Sequence, residues 1–230
     1  MINEFLGLLS FFAHMIMLIL APLIIPIAAL FILLNIIKQG KQRTEALSRF
    51  AATAGLNFIG ADSFNSFPGY QYFRIFNLGS GYGRQIENAI KGSVNGFQVS
   101  VFDYTYYVTF STRKIRKQTV VVIDSPRLCL PLFSLQPKGK RSLFNTFGNG
   151  IDVSSNPSFS NKYLILGKDE IRIKQIFDKK AISHFDTIEG FTVEGGGSRI
   201  LFYKDDMLAE PNQISWMINE AVKIASLFYH

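Results

Sequence analysis

The stretch that decides the fold is 89-AIKGSVNGFQVSVFDYTYYVTF-110. Asn95-Gly96 separates two runs rich in β-branched and aromatic residues. A two-residue type I′ hairpin turn needs positive φ at both central residues, and Asn-Gly meets that need best. In the second run Phe97, Val99 and Val101 share one face. Phe102, Tyr104, Tyr106, Val108 and Phe110 then share the other. Such a parity switch requires a bulge or a strand that exchanges buried faces, and both belong to a strongly curved sheet. Thr119–Ile123 is a short apolar run of the kind a buried strand shows. Leu128–Leu135 follows, with Pro131 assigning it to an edge or a bulge. Tyr163–Leu166 reads as a further strand. Phe191–Glu194 and Arg199–Lys204 form a second hairpin around Gly195-Gly196-Gly197-Ser198.

The helices lie apart from these strands. Asp169–Phe177 and Asp178–Phe185 read as short helices that bury Ile173, Ile176, Phe177, Ile182 and Phe185. Pro211 suits the first turn of a last helix. Ile214, Met217, Ile218, Ala221, Val222, Ala225 and Phe228 line one of its faces. Residues 142–160 read as irregular. Strands in one block and helices in others, without βαβ alternation, predict an α+β domain with a mainly antiparallel, curved sheet and a C-terminal helix. Roughly five to seven strands closed by a helix match pleckstrin-homology-like barrels, an architectural analogy that carries no function.

Upstream, Phe5–Ile37 is almost continuously apolar, with Ser10, His14 and Asn35 as the polar exceptions. A ~30 Å hydrocarbon core takes ~20 residues of helix. The run therefore predicts one span, from about His14 to Ile37, after an interfacial start at 2–12. Pro22 and Pro26 fall mid-span and predict a membrane kink. The carbonyls freed there need partners, so a packing neighbour in the membrane is expected. An acidic start and an overlong apolar run argue against a cleaved signal peptide. Lys38, Lys41 and Arg43 follow the span, and the positive-inside rule places that flank in the cytoplasm, with the N-terminus out. Gly40 is expected to end this helix and separate it from a second one. That helix would bury Leu47, Phe50, Ala51 and Ala54 and be capped by Gly55. The expected organisation is a membrane anchor over 1–39 and a cytoplasm-facing α+β domain over 40–230.

The 230 residues carry a net charge of +7. Residues 1–37 hold one charged side chain, Glu4, which leaves a net +8 on 38–230. Within 111–141, Arg113, Lys114, Arg116, Lys117, Arg127, Lys138, Lys140 and Arg141 face one acid, Asp124. Arg113–Lys117 is expected to top one turn and Lys138–Arg141 another, at one end of the sheet. Such a cluster gains ~1 kcal/mol per basic residue near an anionic leaflet, over a Debye length of ~8–10 Å. A protein partner would serve equally, and ordinary solvated loops are the plain alternative. The membrane tether and the lack of a known module argue against nucleic acid.

Catalytic patterns are scarce. The single Cys129 rules out an internal disulfide and multi-cysteine zinc sites, in keeping with a reducing compartment. It lies in an apolar run and reads as a buried structural thiol. The histidines, His14, His184 and His230, form no metal-binding spacing, so no metal or other cofactor is expected. His184, near Asp186, reads as an exposed helix-end residue. Gly79-Ser80-Gly81-Tyr82-Gly83 lacks the Lys-Ser/Thr of a phosphate loop and reads as a flexible turn. Asp103 interrupts a hydrophobic strand and is expected to pair with an arginine or to mark the bulge.

Three elements carry a resemblance. They are Leu130-Pro131-x-Phe133-x-Leu135-x-Pro137; Asn156-Pro157-x-Phe159-Ser160 continuing into Tyr163-Leu164-Ile165-Leu166-Gly167; and Val193-Glu194. Across about 85–205 the chain resembles a family of uncharacterised bacterial, including cyanobacterial, membrane-anchored proteins. The resemblance implies an anchor followed by a domain, and no activity or site residue. The expected function is a membrane-anchored interaction or assembly protein, an accessory subunit of a membrane complex, whose domain binds a protein partner or an anionic lipid surface. The rival is an enzyme acting on a lipid or membrane-delivered substrate, with Asp103, Glu194 and Arg199 as its first candidate residues.

Overall fold

A computed structural model describes residues 2–62, 69–79, 83–108, 114–138, 149–153 and 156–229. The chain divides into two compact units, Met1–Ala46 and Leu47–His230. The first is most of helix α1 (Ile2–Thr53), which runs through Pro22, Pro26 and Gly40 without interruption. The expected break at Gly40 is therefore absent. An isolated glycine costs a helix only ~1 kcal/mol relative to alanine. The polar helix formers on both sides, from Lys38 to Glu45, carry the helix across it. α1 is long and apolar enough to cross a membrane, and its most apolar stretch within Ile24–Thr53 is unburied. Ile25 and Phe31 are among its exposed side chains, a pattern suited to lipid rather than water.

The last turns of α1 belong to the second unit. Leu47 and Ala51 are buried in its core, Phe50 packs against them, and Ala54, past the helix end, is exposed. The helix stops where Gly55 turns left-handed at φ +68°. Leu56 N–H then donates to the Ala51 carbonyl and Gly55 N–H to that of Ala52, which satisfies the end carbonyls.

Among the described residues nine strands follow: β1 (Asn57–Asp62), β2 (Gln85–Val94), β3 (Phe97–Tyr107), β4 (Ile115–Asp124), β5 (Leu130–Pro137), β6 (Asn149–Ile151), β7 (Tyr163–Gly167), β8 (Thr192–Gly197) and β9 (Arg199–Tyr203). They form one antiparallel sheet in the order β1-β2-β3-β4-β9-β8-β5-β7-β6. The helices are α2 (Pro157–Lys162), α3 (Glu170–Ile176), α4 (Lys179–Phe185) and α5 (Pro211–Leu227). The α+β class, the antiparallel curved sheet and the C-terminal helix are as expected. The sheet is open, with β1 and β6 at its edges, and does not close into the barrel of the pleckstrin-homology analogy.

β3 is the second of the two expected cases, a strand that exchanges buried faces. Its register with β4 is unbroken from Gln98↔Asp124 to Tyr107↔Ile115. Odd positions through Val101 join the core beneath the helices. Phe102, Tyr104 and Tyr106 join a second core on the opposite face. That second core is covered by two 3₁₀ turns, Tyr70–Tyr72 and Arg74–Asn77, through Tyr70, Phe73, Ile75 and Phe76. The first half buries only the odd face, with Gln98 exposed and Ser100 half-buried; the second half is buried on both faces, its apolar residues on the even one and Asp103 and Thr105 on the odd one. The bulge lies in β2, between Glu87 and Ile90, where Asn88 takes φ +53°. A second irregularity, between Leu130 and Phe133 of β5, coincides with Pro131.

Candidate functional site

Two polar constructions hold the second face together. Glu194 on β8 is fully buried. Its carboxylate accepts from the backbone N–H of Arg74 at 2.5 Å and of Ile75 at 3.0 Å, at the start of a 3₁₀ turn, and from the Tyr203 hydroxyl at 2.5 Å. Burial pushes the Glu194 carboxyl up to about 7, against the pull of the Tyr203 hydroxyl and of Arg74. At the end of β4, Asp124 accepts from the Ser198 hydroxyl and from Arg199 Nε, both at 2.7 Å. The Arg199 guanidinium also lies over the Tyr70 ring, 5.6 Å from its centroid.

Between these constructions lies a cleft of about 480 Å³. Tyr72, Phe73, Leu130 and Leu132 are its apolar lining, and Ser198 and Arg199 its polar end. Gly196 also lines it; a Cβ there would fall 3.0 Å from Leu132 Cδ1 and 3.6 Å from the Phe73 ring. The volume lies within the ~300–1,000 Å³ range of small-ligand sites. A smaller cleft of about 240 Å³, by α2 and β7, is lined by Lys138, Asp152 and Ser160 among others.

The register also locates the basic residues. Lys114 precedes β4, Arg116 and Lys117 lie within it, and Lys138 follows β5. Strand pairings from Tyr107↔Ile115 through Val120↔Tyr203, Thr192↔Tyr203 and Leu135↔Val193 put all four at one end of the sheet. Lys114, Lys117 and Lys138 are exposed, whereas half-buried Arg116 pairs with Asp206. Arg113, Lys140 and Arg141 lie outside the described residues, as do Ser80–Tyr82 of the glycine-rich stretch, Phe110 and His230. The cleft is at the opposite end, with Gly197↔Leu130 and Asp124↔Arg199. The chain also joins the sheet from α1 at that opposite end, where Asn57 pairs with Lys91.

Other expectations change. Cys129 is exposed, not buried, because it precedes β5 in the loop; Arg172 donates to its carbonyl at 2.7 Å. His184 is buried rather than exposed, and its Nε2 lies 2.5 Å from Glu220 on α5. Asp103 marks the bulge, as one of its two expected roles has it: it accepts from Thr119 Oγ1 and from Asn88 Nδ2, bracing the β2 bulge from the neighbouring strand. Asp103 lies on the face of Val101, Glu194 and Arg199 on the face of Leu201, so the three rival candidates do not converge. Among the described residues no group of three His, Cys, Asp or Glu is placed to hold a metal ion. Glu194's latch joins residues far apart in the chain; the only signal in the sequence was a carboxylate inside a strand.

No protein-family model matches the chain. No curated protein matches it. Among solved structures the fold is similar to that of the mycobacterial trehalose monomycolate transport factor A, TtfA, with a TM-score of 0.58. The likeness covers 81% of this chain and 92% of that one at 11% sequence identity, which establishes a shared fold.

Proposed function

We propose that the chain is a non-catalytic, membrane-anchored accessory factor of a lipid-handling transport complex. In this reading it is a single-span protein of the bacterial inner or thylakoid membrane, a member of the uncharacterised anchored family it resembles. Its N-terminus faces out and its α+β domain faces the cytoplasm. The observation that carries the reading is the likeness in fold, over 81% of this chain, to a protein named for trehalose monomycolate transport, in a chain that also has a helix long and apolar enough to cross a membrane. The dispersed polar groups Asp103, Glu194 and Arg199, each engaged in structural bonds, favour it over the enzyme reading.

The basic end docks on an acidic protein surface. Its exposed lysines, Lys114, Lys117 and Lys138, suit a partner surface of opposite charge. The test is Lys114→Glu, Lys117→Glu and Lys138→Glu together in the full chain. Salt-sensitive crosslinking to a membrane transport protein should weaken about tenfold or more. Unchanged crosslinking would refute the docking surface, and binding to anionic vesicles lost in its place would favour lipid.

A further inference from the structure

We propose that the cleft beside the Ser198–Arg199 turn binds one fatty-acyl chain of a membrane amphiphile with an uncharged, hydroxyl-bearing head. This inference rests on the lipid-handling reading above and names the ligand class. The apolar wall comes from two segments remote in sequence, Tyr72-Phe73 and Leu130–Leu132. Tyr72 is 64% and Leu132 40% exposed, so two large side chains of this wall stand in solvent where a chain would cover them. The floor is kept bare by Gly196, since any side chain there would press on Leu132 and Phe73.

The far end sets the head group. Arg199 is charge-balanced by Asp124, which also holds the Ser198 hydroxyl. An ion pair beside a hydroxyl offers both donors and acceptors without net charge. That suits alcohol and ester groups better than a phosphate, which would compete with Asp124 for the guanidinium.

The experiment uses the full chain reconstituted in phosphatidylcholine vesicles. The probe is a monoacylglycerol carrying a diazirine at the end of its acyl chain. Irradiation should label peptides containing Tyr72 and Leu132 as well as the apolar part of α1. In Leu132→Asp, an exposed position that spares folding, cleft labelling should fall about tenfold, because an ionised carboxylate in the wall opposes the chain. Labelling of α1 should persist and serve as the internal control. Tyr72→Ser should act in the same direction. Label confined to α1, or cleft labelling unchanged in both variants, overturns the site. Equal cleft labelling by phosphatidylcholine carrying the same diazirine chain overturns the head-group assignment. Charge reversal at the basic end is read by protein crosslinking, so failure of the acyl site and failure of the accessory-factor reading are separately visible.

Discussion

Glu194 is the residue on which the second face depends most. An ionised carboxylate in a dry interior is costly, and here two backbone N–H groups and a phenol stabilise it only in part. Its folded value of about 7 lies above the unfolded value near 4.5. The folded state therefore keeps its proton while the unfolded chain releases one. This contribution to stability is fully present below about 4.5 and is lost as pH rises through about 7, a change of ~3 kcal/mol. His184 acts in the opposite sense. Burial lowers its imidazole value, with Glu220 opposing, so its contribution is present above the usual histidine value and is lost as pH falls through the folded one. Glu194→Gln keeps an acceptor for Arg74 N–H or Ile75 N–H and removes the titration. Hydrogen-exchange protection of the 74–77 amides, corrected for intrinsic rates, should decline from pH 5 to pH 8 in the wild type. That decline should be absent in the variant, where only the opposite trend from His184 remains. An equal decline in both would remove Glu194 from the account.

Among the elements, β8 shows how a glycine run can do different things at neighbouring positions. A Cβ at Gly195 would lie 2.2 Å from Phe133 Cε1, inside a packed aromatic cluster where Phe133 meets Phe177 and Phe228 edge-on. Gly197 has open space around it but sits at φ +59°. Gly195→Ala should thus cost ~1–3 kcal/mol through overpacking, and Gly197→Ala about 1 kcal/mol through backbone strain. Denaturation of the two variants checks the order, and a reversed ranking would refute the packing argument. The same run reads in the sequence only as a turn, because what it makes room for arrives from elsewhere. By contrast the Asn95-Gly96 hairpin was legible, since local chemistry determines it: the two residues adopt φ +51° and +83°. α5 was legible for the same reason, its buried face repeating at helical spacing from Ile214 to Ala225. β1 and β6 were missed as short edge strands, β1 broken by Gly60 and two register shifts. The cover of the second face was missed because Arg74 and Glu194 are 120 residues apart. The cleft shares that difficulty, its walls coming from residues near 70, 130 and 197.

At the scale of the whole molecule, the sidedness proposed for the chain rests on where charge stops and starts. Residues 1–37 carry no Lys or Arg, and Lys38, Lys41 and Arg43 follow at once. Placing that flanking cluster outside would oppose the positive-inside bias. Cys129 turns this into a measurement. It is the chain's single cysteine and it is exposed, so a thiol reagent reports on one position of the domain. With the domain inside, a membrane-impermeant maleimide should leave the protein unlabelled in intact spheroplasts and label it after the membrane is opened. Cys129→Ser should remove the signal in both conditions, which ties it to this position. Its Arg172 contact is to the backbone carbonyl as well as the sulfur, so serine keeps the main anchor of that loop. Labelling of intact spheroplasts would place the domain outside. The acidic partner surface and the source of the acyl ligand would then have to be sought on the outer side of the membrane.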